Sequence, residues 1–170
     1  LESERVSAIV SDFLDFSRPR PVKIESLWLP DLIEEVKASW ETDPRNEGLR
    51  LRVDEPPEAW ILGDPICVHQ VFTNLLSNAR RHTPPGGTIE VRLAQEADAA
   101  VLTVQDSGPG VPAELLPRLG ERLLRADAAR ERRHGGHGLG LSIVREIIRR
   151  HGGALRFENR AGLLVTVHLP

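Results

Sequence analysis

Hydrophobic residues recur along this chain with two different periods, and the switches between them divide it into elements. Val6, Ile9, Val10, Phe13, Leu14 and Phe16 repeat at three- and four-residue spacing with charged residues on the other face. That pattern predicts an amphipathic helix over residues 1–17. Ser17-Arg18-Pro19-Arg20-Pro21 stops it, because proline cannot continue a helix and pushes its predecessor toward extended geometry. A lone helix of this length is marginal in water, so its stripe requires a partner: another helix, or the chain's own domain.

From Val22 the pattern becomes globular. Val22–Leu27 reads as a strand, and a helix with Leu32, Ile33 and Val36 begins at Pro30 or Asp31. Leu49, Leu51 and Val53 alternate with Arg50 and Arg52, the signature of a half-buried strand, and Trp60-Ile61-Leu62 forms a short one. Asp64-Pro65 is a strong helix start, with Asp as N-cap and Pro in the first turn. Val68, Val71, Phe72, Leu75, Leu76 and Ala79 then give a buried stripe, ended by Pro84-Pro85-Gly86-Gly87. Thr88–Leu93 and Ala100–Gln105 read as paired strands joined through Gln95–Ala99. Leu139–Arg150 is a helix stopped by His151-Gly152-Gly153. Leu155–Glu158 and Leu163–Leu169 form a last hairpin around Asn159-Arg160-Ala161-Gly162. Mixed helices and strands with adjacent hairpins predict an α+β fold, a two-layer sandwich with helices on one face of a mixed sheet. The N-terminal helix precedes it.

Composition narrows the function classes. A length of 170 residues suits one domain plus an appendage, and 40% hydrophobic residues suffice for a core. The net charge of −3 argues against a general nucleic-acid binder. No apolar run approaches the roughly 20 residues of a membrane span, and no secretory signal is present. The lone cysteine, Cys67, excludes an internal disulfide framework and falls in the apolar helical pattern, as a buried thiol would. Methionine is absent, which suggests a fragment of a longer chain.

Three segments carry candidate chemistry. On the helix after Asp64, Asn74, Asn78 and Arg81/His82 share a face offset from the apolar stripe. An asparagine carbonyl oxygen suits Mg²⁺, and Arg81 stands where it would reach a phosphate. The competing reading is a solvated face, although asparagine is a mediocre helix former. Asp106-Ser107-Gly108-Pro109-Gly110 puts a carboxylate at the end of an apolar strand, followed by glycines that let the backbone approach a flat ligand. An ordinary turn is the bland alternative. Gly135-Gly136-His137-Gly138-Leu139-Gly140-Leu141 opens a helix and is an anion site by its free N–H groups and dipole. It is neither a P-loop nor the dinucleotide fingerprint, since no Lys-Ser/Thr follows and Leu141 replaces the third glycine. Between the glycine turns, Pro112–His134 is rich in arginine, as a mobile lid over phosphates would be. His134 and His137 lack a cysteine or third histidine nearby, which argues against zinc.

Together these segments resemble the ATP-binding catalytic domain of sensor histidine kinases, in the wider group with DNA gyrase, Hsp90-type chaperones and mismatch-repair ATPases. Val71–Thr83 resembles the asparagine box, Asp106–Gly110 the first glycine box and Gly136–Leu141 the second. The resemblance implies the Bergerat-type ATP-binding fold over residues 22–170, a linker at 18–21, and the end of the dimerisation and phosphoacceptor hairpin at 1–17. It implies that Asn78 holds Mg²⁺, that Asn74 and Arg81 attend the phosphates, and that His82 packs by the adenine. Asp106 would take the adenine amino group, with Gly108, Gly110 and Val111 shaping the base pocket. Gly136, His137, Gly138, Leu139 and Gly140 would sit against the phosphates, with Arg125 as the lid arginine. The phenylalanine-rich lid box is poorly matched, with Gly120, Leu123 and Leu124 in place of its aromatics, and Leu163 and Leu164 follow Gly162 where the family often has threonine.

Hydrolysing relatives carry a glutamate where this chain has Asn74, a poor base, which favours phosphoryl transfer to a protein acceptor. The first histidine is His69, so the resemblance puts the phosphoacceptor histidine upstream. The implied cofactors are ATP and Mg²⁺. The implied partners are the chain's own dimerisation domain, in a homodimeric parent, and a response-regulator receiver domain, with no nucleic acid. The implied location is cytoplasmic, in a parent either soluble or anchored in the inner membrane. Two alternatives stay open: a nucleotide-sensing or partner-binding module without kinase activity, motivated by the lid box, and a serine-directed anti-sigma-type kinase, against which the proline-bounded stub speaks.

Overall fold

A computed structural model describes residues 22–54, 58–96, 99–121 and 139–170. The expected helix over 1–17 and its linker lie outside the described residues. Among the described residues, seven strands and three α-helices follow in the order β1 (Glu25–Trp28), α1 (Leu29–Thr42), β2 (Arg50–Asp54), β3 (Trp60–Gly63), α2 (Pro65–His82), β4 (Thr88–Glu96), β5 (Ala99–Asp106), α3 (Gly140–Arg150), β6 (Ala154–Asn159) and β7 (Leu163–Leu169). Short 3₁₀ turns occur at Pro44–Asn46 and Leu116–Arg118.

The main sheet has the order β2-β4-β5-β7-β6. β2 runs parallel to β4 and the other neighbours are antiparallel, so the sheet is mixed as expected. Residues directly opposite one another share a face, and one row, Val53–Val91–Val104–Val165–Phe157, crosses all five strands. A second row, Leu93–Leu102–Val167–Leu155, lies beside it. The three helices bury their apolar stripes in one core cluster with these rows. On the opposite face Arg52, Glu90 and Arg92 form ion pairs. The period-two alternation therefore separates a dry face from a wet one.

β1 and β3 do not join that sheet. They pair antiparallel with each other as a separate two-stranded sheet, whereas the alternation pattern had suggested one sheet. The first strand also starts at Glu25 rather than Val22. The Lys23 N–H donates to Asp64 Oδ2 at 2.9 Å, and the Asp64 N–H donates to His151 Nε2 at 3.0 Å. Both groups are thus diverted from strand pairing. α1 likewise begins at Leu29, before the proline that marked it, with Trp28 extended at the N-cap.

Asp64 is 1% exposed and does several jobs at once. Its Oδ1 accepts from the N–H groups of Ile66 and Cys67, which caps α2 as the sequence predicted. The His151 ring closes the knot: Nε2 accepts from Asp64, so Nδ1 carries the proton and faces the Ile147 carbonyl at 2.8 Å. The end of α3 is thereby fixed to the start of α2. Cys67 lies buried beside it and forms no disulfide.

Asp64→Ala is expected to destabilise the domain by about 2 kcal/mol or more, through loss of the cap and stranding of buried N–H groups. Asp64→Asn should restore most of that loss. Urea unfolding of both variants checks this, and an unchanged midpoint for the alanine variant refutes it.

Candidate functional site

α2 is long enough to serve two surfaces. Its apolar stripe faces the core, while Asn74, Asn78 and Arg81 are half-buried and His82 is exposed. Asn74 to His82 spans about 12 Å at the helical rise of ~1.5 Å per residue. Each end of that line meets another expected element.

At the His82 end lies the turn after β5. Asp106 pairs with Ile89 and stands on the core side of the sheet, in the row Leu51–Ile89–Asp106. It is 4% exposed. Its Oδ1 accepts from the Gly108 N–H at 2.8 Å and the Leu163 N–H at 3.2 Å. Among the described residues no donor reaches Oδ2. Burial pushes the carboxyl above its ordinary range, and the two backbone N–H bonds and the nearby His82 only partly offset this. Gly108 is packed so closely that a Cβ there would lie 2.4 Å from the His82 carbonyl oxygen. Gly162, in the β6–β7 turn, is tighter still, since a Cβ would lie 2.0 Å from the Asp106 carbonyl oxygen. Two glycines from distant turns thus clasp one aspartate.

The rest of the first glycine turn is tied to β6. Gly110 adopts a positive φ of 72°. Next to it, the half-buried Val111 exchanges two hydrogen bonds with the Asn159 side chain: its N–H donates to Oδ1, and its carbonyl accepts from Nδ2. Asn159 and Gly162 were read only as hairpin-turn residues. The Asn-Arg-Ala-Gly spacing was their sole signal, and it does not say what the turn packs against.

At the other end, Asn74 meets the start of α3. A Cβ on Gly140 would lie 2.9 Å from Asn74 Oδ1, and Asn74 Nδ2 donates to the Gln70 carbonyl at 2.8 Å. Leu139 occupies the N-cap of α3 and offers no side-chain cap. The opening N–H groups of the helix are thus left to other partners, the condition that suits an anion. Between the two ends, Arg81 Nη2 donates to Asn78 Oδ1 at 3.4 Å, and Arg81 Nε is buried without a partner among the described residues. Arg125, Gly136, His137 and Gly138 lie outside the described residues.

The arrangement is a line of polar groups along one helix, with a buried acceptor at one end and, among the described residues, helix N–H groups that no side chain caps at the other. These features suit a purine nucleotide with its phosphates, and the donor set fits Mg²⁺: asparagine oxygen, a neighbouring cation to balance phosphate, and close-approach glycine. Among the described residues no group of three or more His, Cys, Asp or Glu side chains gathers to hold a metal by itself.

This fold is a two-layer α/β sandwich of the Bergerat type, with the candidate residues on the core-facing helix and the turns beside it. Residues 63–170 match the family of histidine kinase-, DNA gyrase B- and HSP90-like ATPases. The chain is 36% identical over 166 residues to the probable sensor histidine kinase TcrY of Mycobacterium tuberculosis, covering 95% of this chain and 34% of TcrY. It is 34% identical to the sensor protein IrlS of Burkholderia pseudomallei, covering 99% of this chain and 37% of IrlS. Among solved structures, the mycobacterial sensor histidine kinase MprB superimposes with a TM-score of 0.77 at 30% identity, covering 86% of this chain and 97% of that one. The chain belongs to this ATPase family and corresponds to the ATP-binding catalytic domain of sensor histidine kinases. It spans about a third of the length of the curated relatives it matches.

Asp106→Asn keeps the acceptor for Gly108 and Leu163 but removes the charge that burial penalises. The wild-type carboxyl titrates higher in the folded than in the unfolded state. It therefore favours the folded state below its unfolded pKa, and that contribution is lost as pH rises through the folded pKa. Asp106→Asn is expected to melt above the wild type at neutral pH, with the gap closing on acidification. Melting curves across pH test this, and a gap that stays constant or reverses refutes it.

Proposed function

We propose that this site binds Mg-ATP and presents the γ-phosphoryl group to a histidine of the dimerisation and phosphoacceptor region that precedes the catalytic domain. The observation that carries the proposal is the Asp106 carboxylate: buried, saturated on one oxygen by backbone, and open on the other to an exocyclic amine. Adenine offers that donor, whereas guanine presents a carbonyl at the corresponding position. Gly108 and Gly110 let the turn close against the His82 carbonyl and the Asn159 side chain beside the place the base would take, and Val111 would give it an apolar wall.

Along α2, Asn78 supplies an oxygen donor of the type Mg²⁺ prefers, and Arg81 a guanidinium already within reach of it. The start of α3 would receive phosphate oxygens on its opening N–H groups, which no described side chain caps. Bound Mg-ATP brings a γ-phosphoryl group activated for in-line transfer, and the residues here supply mainly position and charge neutralisation. Asn74 supports transfer over hydrolysis. Its amide donates to the helix backbone and abuts Gly140, and it offers no carboxylate to activate water. A response-regulator receiver domain is the onward acceptor in this reading. A related histidine kinase, ThkA, 27% identical with a TM-score of 0.82, has been solved in complex with the response regulator TrrA.

One observation favours a second reading, a nucleotide-sensing module without transfer activity. Gly120 stands where the family places a lid aromatic, at a φ of 81°, and a Cβ there would lie 2.8 Å from Arg145 Nε. An aromatic does not fit that place. Phosphotransfer from ATP to the upstream histidine of the intact protein separates the readings, and tight ATP binding without transfer selects the sensor.

Asn78→Ala is expected to abolish the Mg²⁺ dependence of nucleotide binding in calorimetric titration; unchanged dependence removes Asn78 from the metal role. Asp106→Asn should weaken ATP and ADP by at least about tenfold, the scale of one ~1.4 kcal/mol interaction, while leaving inorganic triphosphate unaffected. Equal losses for both ligands refute base recognition.

A further inference from the structure

The hairpin of β6 and β7 ends in a rung that reaches both sides of the turn after β5. On the helix side of the sheet β6 carries Leu155, Phe157 and then Asn159, opposite Val167, Val165 and Leu163. Leu155 and Phe157 pack against the core, whereas Asn159 is exposed. An apolar row thus ends in an amide that core packing does not require. Its hydrogen bonds run instead to a residue far away in the chain. The Val111 N–H donates to Asn159 Oδ1 at 3.0 Å, and Asn159 Nδ2 donates to the Val111 carbonyl at 2.5 Å. Across the rung, the Leu163 N–H donates to Asp106 Oδ1 at 3.2 Å. One pair of facing residues therefore holds both Asp106 and Val111.

We infer that Asn159 is a positioning residue of the base pocket: through Val111 it fixes how far the apolar wall stands from the Asp106 carboxyl. The inference rests on the reading of Asp106 as the adenine acceptor. Three observations carry it. First, the near end of the Asp106–Val111 segment is anchored without Asn159. The Ser107 N–H donates to the Thr88 carbonyl at 3.0 Å, the Thr88 N–H donates to Ser107 Oγ at 2.8 Å, and Gly108 rests on the His82 carbonyl. The far end follows Pro109, which has no N–H to donate, and Gly110, which holds a φ of 72°. Asn159 is the anchor there. Second, facing residues of an antiparallel pair stand about 4.5–5.5 Å apart at Cα, so the Asn159–Leu163 rung is a stiff spacer between the two groups it holds. Third, the chemistry suits asparagine. An amide carries a donor and an acceptor side by side and matches the N–H and carbonyl of one residue, as a neighbouring strand would, whereas an ionised aspartate offers acceptors alone. A Cβ on Gly110 would lie 2.7 Å from Asn159 Oδ1, so the amide fills the space that a side chain at that position would need. Asn159 acts through Val111 rather than on the nucleotide itself.

The test uses the 170-residue chain. In amide hydrogen exchange followed by NMR, the Val111 N–H is expected to be protected in the wild type. In Asn159→Ala it should exchange about tenfold faster, the scale on which one lost hydrogen bond reads in an equilibrium. Calorimetric titration should show ATP and ADP bound about tenfold more weakly by the same variant, with inorganic triphosphate unchanged. A purely structural role would weaken both kinds of ligand together and lower the melting temperature, so equal losses overturn the inference. Asn159→Asp keeps the size and the acceptor for the Val111 N–H but sets an oxygen against the Val111 carbonyl. It should weaken adenine nucleotides as alanine does. A Val111 N–H that exchanges freely in the wild type, or unchanged ATP affinity in both variants, also overturns the inference. Asp106→Asn, measured alongside, separates the two failures. If it weakens ATP while the Asn159 variants do not, the positioning role alone fails; if it too leaves ATP unchanged, the adenine reading fails with it.

Discussion

One helix carries both core residues and the candidate site, and the rest of the domain is arranged around its orientation. Val68, Val71, Phe72, Leu75 and Leu76 of α2 are all at most 5% exposed. Burial of each such side chain contributes roughly 1.5–3 kcal/mol. Successive residues turn by about 100° around a helix, so slipping α2 by a single position would expose Phe72 and press Asn78 into the sheet. The hydrophobic stripe therefore sets the angle at which Asn74, Asn78 and Arg81 stand. The knot of Asp64 and His151 sets where along its axis the helix starts.

The second constraint is an acid in an apolar row. Strand β5 buries Ala100, Leu102 and Val104 on the helix side, and the next position on that side is Asp106. A desolvated carboxylate opposes folding unless it is hydrogen-bonded. The domain offsets this with two backbone N–H groups from separate turns and with glycines that allow those turns to close on it. The remaining oxygen is left unpaired by the described residues, an arrangement that costs stability and leaves recognition capacity. Under the proposed base recognition, stability and binding are in tension at this one side chain.

Most of the fold was legible because its elements are locally encoded. The α2 stripe, the Asp64-Pro65 start and the alternation in β4, β5 and β7 each follow from a periodicity within one segment. The satellite sheet was not legible. Its strands are too short to announce a partner, and where their pairing stops depends on Lys23 and Asp64 giving their N–H groups to the side chains of Asp64 and His151. The candidate site divides the same way. Asn74, Asn78, Asp106 and Gly108 stand out by residue type and spacing, whereas Asn159 and Gly162 matter only through what they touch.

The linear order of residues by itself determined which faces are apolar, where helices begin and stop, and which motifs place the chain in its ATPase family. These properties depend on neighbours within a few positions. Only the tertiary structure decided that Gly140 meets Asn74, that Gly108 lies on the His82 carbonyl, and that Gly162 closes over Asp106. Such contacts join residues far apart in the chain, and no local pattern specifies them. They arise because close packing of one shared core brings the ends of α2, β5, α3 and the β6–β7 turn to the same edge of the sheet.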